Sequence, residues 1–162
     1  MNRTIRATVL SALVSAALVF PAHAQVTVKD PWVRATVPAM KATGAFMQIT
    51  SVQDARLVEA RSPVAGMVEV HEMTMDNGIM RMRALPDGLD LPAGKGVELK
   101  PGGYHVMLMD LKQQMKEGDT VPVTLVIEGK DKKRITVEVK ALVKPLATAA
   151  MMNKDHAHGM KH

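Results

Sequence analysis

The 162-residue chain has no cysteine but 14 methionines, and only four aromatic residues of the Phe, Trp and Tyr types. Without cysteine there is no disulfide framework, no CxxC redox pair and no blue-copper centre, which requires a thiolate ligand. A formal net charge of +5 with so few rings for base stacking carries no nucleic-acid signature.

The chain opens with a short basic start (Arg3, Arg6), an uncharged apolar run over residues 9–20 and the small-x-small triplet Ala22-His23-Ala24. This is the layout of a secretory signal peptide, and the run is too short for a permanent bilayer anchor. Residues 1–24 are therefore read as a leader, which places the mature chain outside the cytoplasm with no membrane span. Removing 24 of 162 residues leaves 138, and losing Arg3 and Arg6 lowers the net charge from +5 to +3. That length fits one domain, assigned to 25–143, plus a short tail, 144–162.

Short alternating runs follow, cut by turn residues. Candidate strands are 26–29, 32–36, 44–50, 56–61, 68–75, 79–85, 96–100, 104–110, 121–128 and 134–141. Asp30-Pro31, Val37-Pro38, Asn77-Gly78, Pro86-Asp87-Gly88, Pro101-Gly102-Gly103, Gly118-Asp119 and Gly129-Lys130-Asp131 supply the turns. Strands at this spacing argue for an all-β sandwich or barrel. Helix is expected to intrude only at 66–75 or 111–117, if anywhere. Trp32 is assigned to the core. The basic run Lys130 to Arg134 falls at a turn and reads as a solvated surface.

The stretch HEMTMDNGIMRM (71–82) puts one histidine and four methionines in twelve residues. Asn-Gly is the preferred pair for a two-residue type I′ hairpin turn. In that register Met75 faces Met80, Met73 faces Met82 and His71 faces Ala84, all on one side of the sheet. His71 and Met82 are then diagonal neighbours, within reach of one ion. A three-residue loop would turn Met80 and Met82 to the other face. A second cluster, YHVMLMD (104–110), projects His105 and Met107 to one side, about 6–7 Å apart.

A lone methionine is ordinarily core filler, and a lone strand histidine is ordinarily held by a backbone partner. Two clusters that each pair His with Met on one face, in a chain without Cys, point instead to a soft-metal site. Two thioethers and two imidazoles suit Cu(I); zinc favours thiolate or more imidazole, and calcium and magnesium require oxygen. Met73, Met75, Met80 and Met109 share the ligand face and are assigned to supporting shell or core. The tail carries Met151, Met152, His156, His158, Met160 and His162. It has no apolar periodicity, reads as flexible, and offers imidazole for Cu(II) or similar ions.

His71, ten residues, Met82, then His105-x-Met107 resembles the signature of the periplasmic copper chaperones of the PCuAC family. VEVHEM, GIMRMR, GLDLPAG, VELKPGGYHVMLMDLK and KEGDTVPVTL are similar to that family too, over roughly 26–139. The 22 residues between Met82 and His105 are one more than the family pattern has, an excess assigned to the turns between Leu85 and Gly103. The resemblance implies a cupredoxin-like Greek-key β-sandwich. It implies a Cu(I) site of His71, Met82, His105 and Met107, and a monomer that delivers copper towards the Cu_A centre in subunit II of cytochrome c oxidase, alongside a Sco-type thiol copper protein. It also implies that the His/Met tail binds a further copper, as Cu(II).

Two competing readings are a periplasmic copper-sequestration protein without a dedicated acceptor, and a metal-free interaction module with a sticky methionine surface. An enzyme is not expected: no nucleophile–base pair, paired-carboxylate site or catalytic zinc ligand set is evident.

Overall fold

The computed structural model describes residues 26–146. The leader and the tail residues Met151, Met152, His156, His158, Met160 and His162 lie outside the described residues. Ten strands follow in order: β1 Val26–Arg34, β2 Ala42–Ser51, β3 Ala55–Arg61, β4 Ala65–Asp76, β5 Ile79–Ala84, β6 Leu89–Leu91, β7 Gly96–Leu99, β8 His105–Leu111, β9 Thr120–Gly129 and β10 Arg134–Lys144. The described residues contain no helix. The two segments where helix was expected to intrude are otherwise occupied: 66–75 lies within β4, and 111–117 leaves β8 through irregular turns. Pairing with β8 up to His71 and with β5 beyond it outweighs any helical period in β4.

The strands pair in the order β5-β4-β8-β2-β1-β10-β9-β3-β6, with β7 also on β2. β1 and β10 run parallel, so the chain ends re-enter beside its beginning, as a Greek-key arrangement requires. β2 serves two neighbours on one edge: residues 42–45 pair with β8 and residues 47–50 with β7. The sheet folds on itself there, giving an all-β, cupredoxin-like sandwich.

One face of every long strand feeds a single core. Val33, Ile49, Leu57, Leu108, Leu125 and Ile127 are essentially inaccessible to solvent. Each such side chain contributes about 1.5–3 kcal/mol by leaving water. β9 shows how the sequence does this: Val121, Val123, Leu125 and Ile127 point inward at period two, while Pro122 stays outside.

β1 breaks that period once. Val28 pairs with Ile49 and Val33 with Ala45, so β1 spends one more residue than β2 between the two pairs. The extra residue is a bulge at Asp30-Pro31, where Asp30 takes a positive φ of 49°. The bulge joins two expected strands into one and turns Trp32 to the outer face. Trp32 is buried there, as expected from the sequence. It stacks on Phe46 at 4.5 Å between ring centroids, outside the main core cluster. That outer face also carries His71 and His105.

Candidate metal centre

The β4–β5 hairpin turns at Asn77-Gly78, whose φ angles of 49° and 79° are those of a type I′ turn. The register is the two-residue one: Asp76 opposite Ile79, Met75 opposite Met80, Met73 opposite Met82 and His71 opposite Ala84. β8 lies on the other side of β4 and places His105 directly opposite His71, Met107 opposite Glu69 and Met109 opposite Met67. All four sequence-predicted residues therefore share the outer face of three adjacent strands. The two histidines sit at the centre, Met82 stands diagonally across β5, and Met107 lies one face position along β8.

The imidazoles are in contact, with centroids 5.7 Å apart at 62°. His105 is almost wholly buried beneath His71 and Phe46, whose ring centroid is 6.3 Å away. Phe46 can lean over the site because its β2 neighbour is Gly44: a Cβ there would lie 2.7 Å from the Phe46 ring. Gly44 also faces Met107 across the β2–β8 ladder and leaves room for its thioether. Thus β2 forms a wall, β4 and β8 the floor, and the exposed β5 hairpin the open side.

Hydrogen bonds define which ring nitrogens are free. His105 Nδ1–H donates to the Gly103 carbonyl at 3.1 Å, leaving Nε2 with its lone pair. His71 Nε2–H donates to Glu69 Oε2 at 2.8 Å, leaving Nδ1 as the lone-pair atom. That Nδ1 is buried and has no hydrogen-bond partner. Leaving such an atom unpaired ordinarily costs about 1–3 kcal/mol. Burial pushes the His105 imidazole below its ordinary pKa; His71 and the Arg34 charge act in the same direction, against the Gly103 bond. Arg34 lies over the Phe46 ring, 5.5 Å from its centroid. Burial thus favours the neutral His105 ring, the form that binds metal.

The methionines divide by exposure. Met47 and Met115 are core. Met67, Met75, Met80 and Met82 are exposed at 49%, 65%, 46% and 48%, so core filling does not account for them. Among the described residues no group of three or more His, Cys, Asp or Glu side chains is placed to hold an ion. A metal at the histidine pair would therefore complete its coordination with thioether sulfur. The donor set of two preset imidazoles and neighbouring methionines fits a soft, low-coordinate ion.

Sequence reasoning missed Glu69. The signal was present in VEVHEM, since residues two apart on a strand share a face. A large concavity at the far end of the molecule, lined by Asp54, Arg56, Asp90, Glu128 and Lys130, is distant from this centre. Its charges are satisfied among themselves, through Arg56–Asp90 and Lys130–Asp54.

Residues 26–140 match the family described as "LpqE-like: Putative lipoprotein LpqE-like". The chain is 33% identical over 151 residues to "Putative lipoprotein Lxx21020" of Leifsonia xyli subsp. xyli (strain CTCB07), covering 86% of this chain and 91% of that one. Among solved structures it is similar to the Cu(I) form of DR1885 from Deinococcus radiodurans, with a TM-score of 0.57, 34% identity, and 76% and 83% of the two chains covered. The copper-bound PCuAC domain of PmoF2 matches in fold, with a TM-score of 0.57 and 23% identity over 75% of this chain and 93% of that one. The sequence match over most of the chain, with a shared sandwich, shows that this protein belongs to the LpqE-like family and is of the PCuAC type.

Proposed function

We propose that this protein is an exported copper chaperone. It takes Cu(I) at His71, Met82, His105 and Met107 and delivers it towards the Cu_A centre of cytochrome c oxidase, through a Sco-type thiol protein or directly to subunit II. The observation that carries this reading is the buried, unpartnered His71 Nδ1 beside a His105 ring whose own Nδ1 is pinned to Gly103. Those bonds direct two imidazole lone pairs to one face, and the hairpin register puts thioethers on the same face. The Cu(I) form of the DR1885 relative supports copper as the cargo. The lipoprotein description of the family supports export, and the leader sequence supports the periplasm.

Release follows from the ligand chemistry. Thioethers are weak, neutral donors, and Met82 is half exposed. A partner's thiolates would displace them one at a time, exchanging ligands without moving the buried histidines. The His/Met tail then supplies a further copper position, suited to Cu(II), that raises the local metal concentration available to the inner site. In this reading the protein acts as a monomeric carrier rather than as an enzyme.

The test is an anaerobic Cu(I) competition titration against a chromophoric chelator, on the mature chain and its Met82→Ala variant. Tight binding that weakens tenfold or more in the variant supports the site. Equal affinity in both removes Met82 from it. In a deletion strain, lost oxidase activity at ordinary copper supports delivery; sensitivity to excess copper with normal oxidase supports sequestration instead.

A further inference from the structure

The hairpin that supplies Met82 carries three more thioethers on the same face, and the histidine site uses none of them. Met75 and Met80 are opposite one another, and Met73 is opposite Met82. A two-residue turn closed by Asp76 and Ile79 makes Met75–Met80 a non-hydrogen-bonded pair, the kind whose side chains stand closest, with Cα atoms about 4.5 Å apart. Met73 lies one face position inward, about 7 Å along the strand. Three flexible sulfurs thus border one patch at the hairpin tip.

Two further facts separate this patch from an ordinary surface. Met75 and Met80 are 65% and 46% exposed, on an edge hairpin where apolar side chains gain nothing by burial. The hairpin's cationic residues face the other way and are paired there: Arg81 with Asp76 at 3.2 Å, and Arg83 with Glu72. The thioether face of the hairpin therefore carries none of the hairpin's own positive charge.

We infer that Met73, Met75 and Met80 form a second Cu(I) site, an all-thioether loading position at the hairpin tip that passes its ion inward to the histidine centre. The direction of transfer rests on the histidine site proposed above; the tip site itself does not. Soft thioether donors select a soft monovalent ion such as Cu(I) or Ag(I). Met73 faces Met82 directly, so an ion at the tip reaches the inner site by exchanging one thioether for its cross-strand partner. The inner site, with two preset imidazoles, holds the ion more firmly.

The experiment is a titration of the full mature chain, labelled with ¹³C at the methionine methyl groups, with Ag(I) as a redox-inert stand-in for Cu(I). Residue-specific signals separate the core, the tip and the tail. The expected result is that Met82 and Met107 shift with the first equivalent, and Met73, Met75 and Met80 shift together with a later one. Met47 and Met115, buried in the core, stay still. In a Met75→Leu, Met80→Leu double variant the Met73 response weakens at least tenfold while Met82 and Met107 respond as before. Leucine keeps the apolar surface at two exposed positions, so the fold is unaffected and a mere docking patch would survive. If Met73, Met75 and Met80 remain unmoved through three equivalents, or move independently of one another, the tip site is refuted. If they respond while Met82 and Met107 do not, the tip site stands and the histidine centre fails.

Discussion

Glu69 offers the sharpest test of how the histidine centre is built. Its carboxylate accepts the His71 Nε2–H at 2.8 Å, and this bond leaves Nδ1 as the free lone pair. In Glu69→Ala the ring loses its anchor, and both tautomers and other rotamers become accessible. Outer partners of metal-binding histidines are typically worth about 10–100-fold in affinity, or roughly 1.4–2.8 kcal/mol at 1.4 kcal/mol per tenfold. The Glu69 side chain is 42% exposed, so its removal opens no core cavity and stability is expected to change little. Glu69→Gln keeps an acceptor oxygen but loses the negative charge that would offset a bound cation. It should fall between the parent and Glu69→Ala. Chelator competition measures the affinity, and ¹⁵N chemical shifts of the His71 ring report the tautomer. Parent-like affinity in Glu69→Ala, with His71 still in its Nε2–H form, would refute the positioning role.

Inserting one glycine between Gly78 and Ile79 should rotate β5 by one register step, sending Met80 and Met82 to the opposite face. Because every β5 residue is exposed, the domain should stay folded by circular dichroism while Cu(I) affinity falls at least tenfold. Gly88→Ala tests the frame: with φ at 84° and its added Cβ only 2.4 Å from the Leu57 carbonyl oxygen, it should destabilise the fold by about 1–3 kcal/mol in urea denaturation. The metal-free protein should also lose stability as pH falls through the ordinary histidine range. Burial lowers the His105 pKa in the folded state, so between that value and the unfolded value of about 6.5 the unfolded chain binds more protons, and stability rises with pH. Thermal midpoints at pH 7.5 and pH 5.0 measure this, and His105→Gln should flatten the difference. The shifted carboxylates, Asp54, Glu59, Glu128 and Asp131, are all lowered and titrate below that window.

What the sequence could show depended on sequence distance. The β4–β5 register was legible because a local turn sets it: Asn77-Gly78 has one preferred geometry, and the cross-strand pairs follow by counting. The alternation of His105 and Met107 was legible for the same reason. The direct pairing of His71 with His105 was not, since β4 and β8 are separated by three other strands and only the closed sheet sets their register. The burial of Trp32 was legible from its residue type, but the face it takes was not. The bulge at Asp30 reverses which face follows it; Asp30-Pro31 marked a break in the strand, but a break alone does not give the reversal. The short strand Leu89–Leu91 was absent from the expected strands because three residues are too few to display a period.

The division of labour on the outer face explains why a carrier would use two kinds of donor. The imidazoles sit on β4 and β8, in the middle of the sheet, where Gly103, Glu69 and Phe46 hold them still. Rigid donors reduce the ordering cost of binding and fix where the ion rests. The thioether of Met82 is on an edge hairpin, exposed and free to swing. Were all donors buried, a partner's thiolate could not reach the ion; were all on the hairpin, the ion would bind weakly and without fixed geometry. Placing strong donors on the floor and weak ones on the rim would let the proposed site hold copper in transit and still give it up. The same reasoning makes the hairpin, not the sandwich core, the element whose substitution should change transfer rates most relative to affinity. Stopped-flow transfer from the Met80→Leu variant to a dithiol acceptor would measure that ratio, with slower transfer at nearly unchanged inner-site affinity as the expected outcome and an unaltered rate as the result against it.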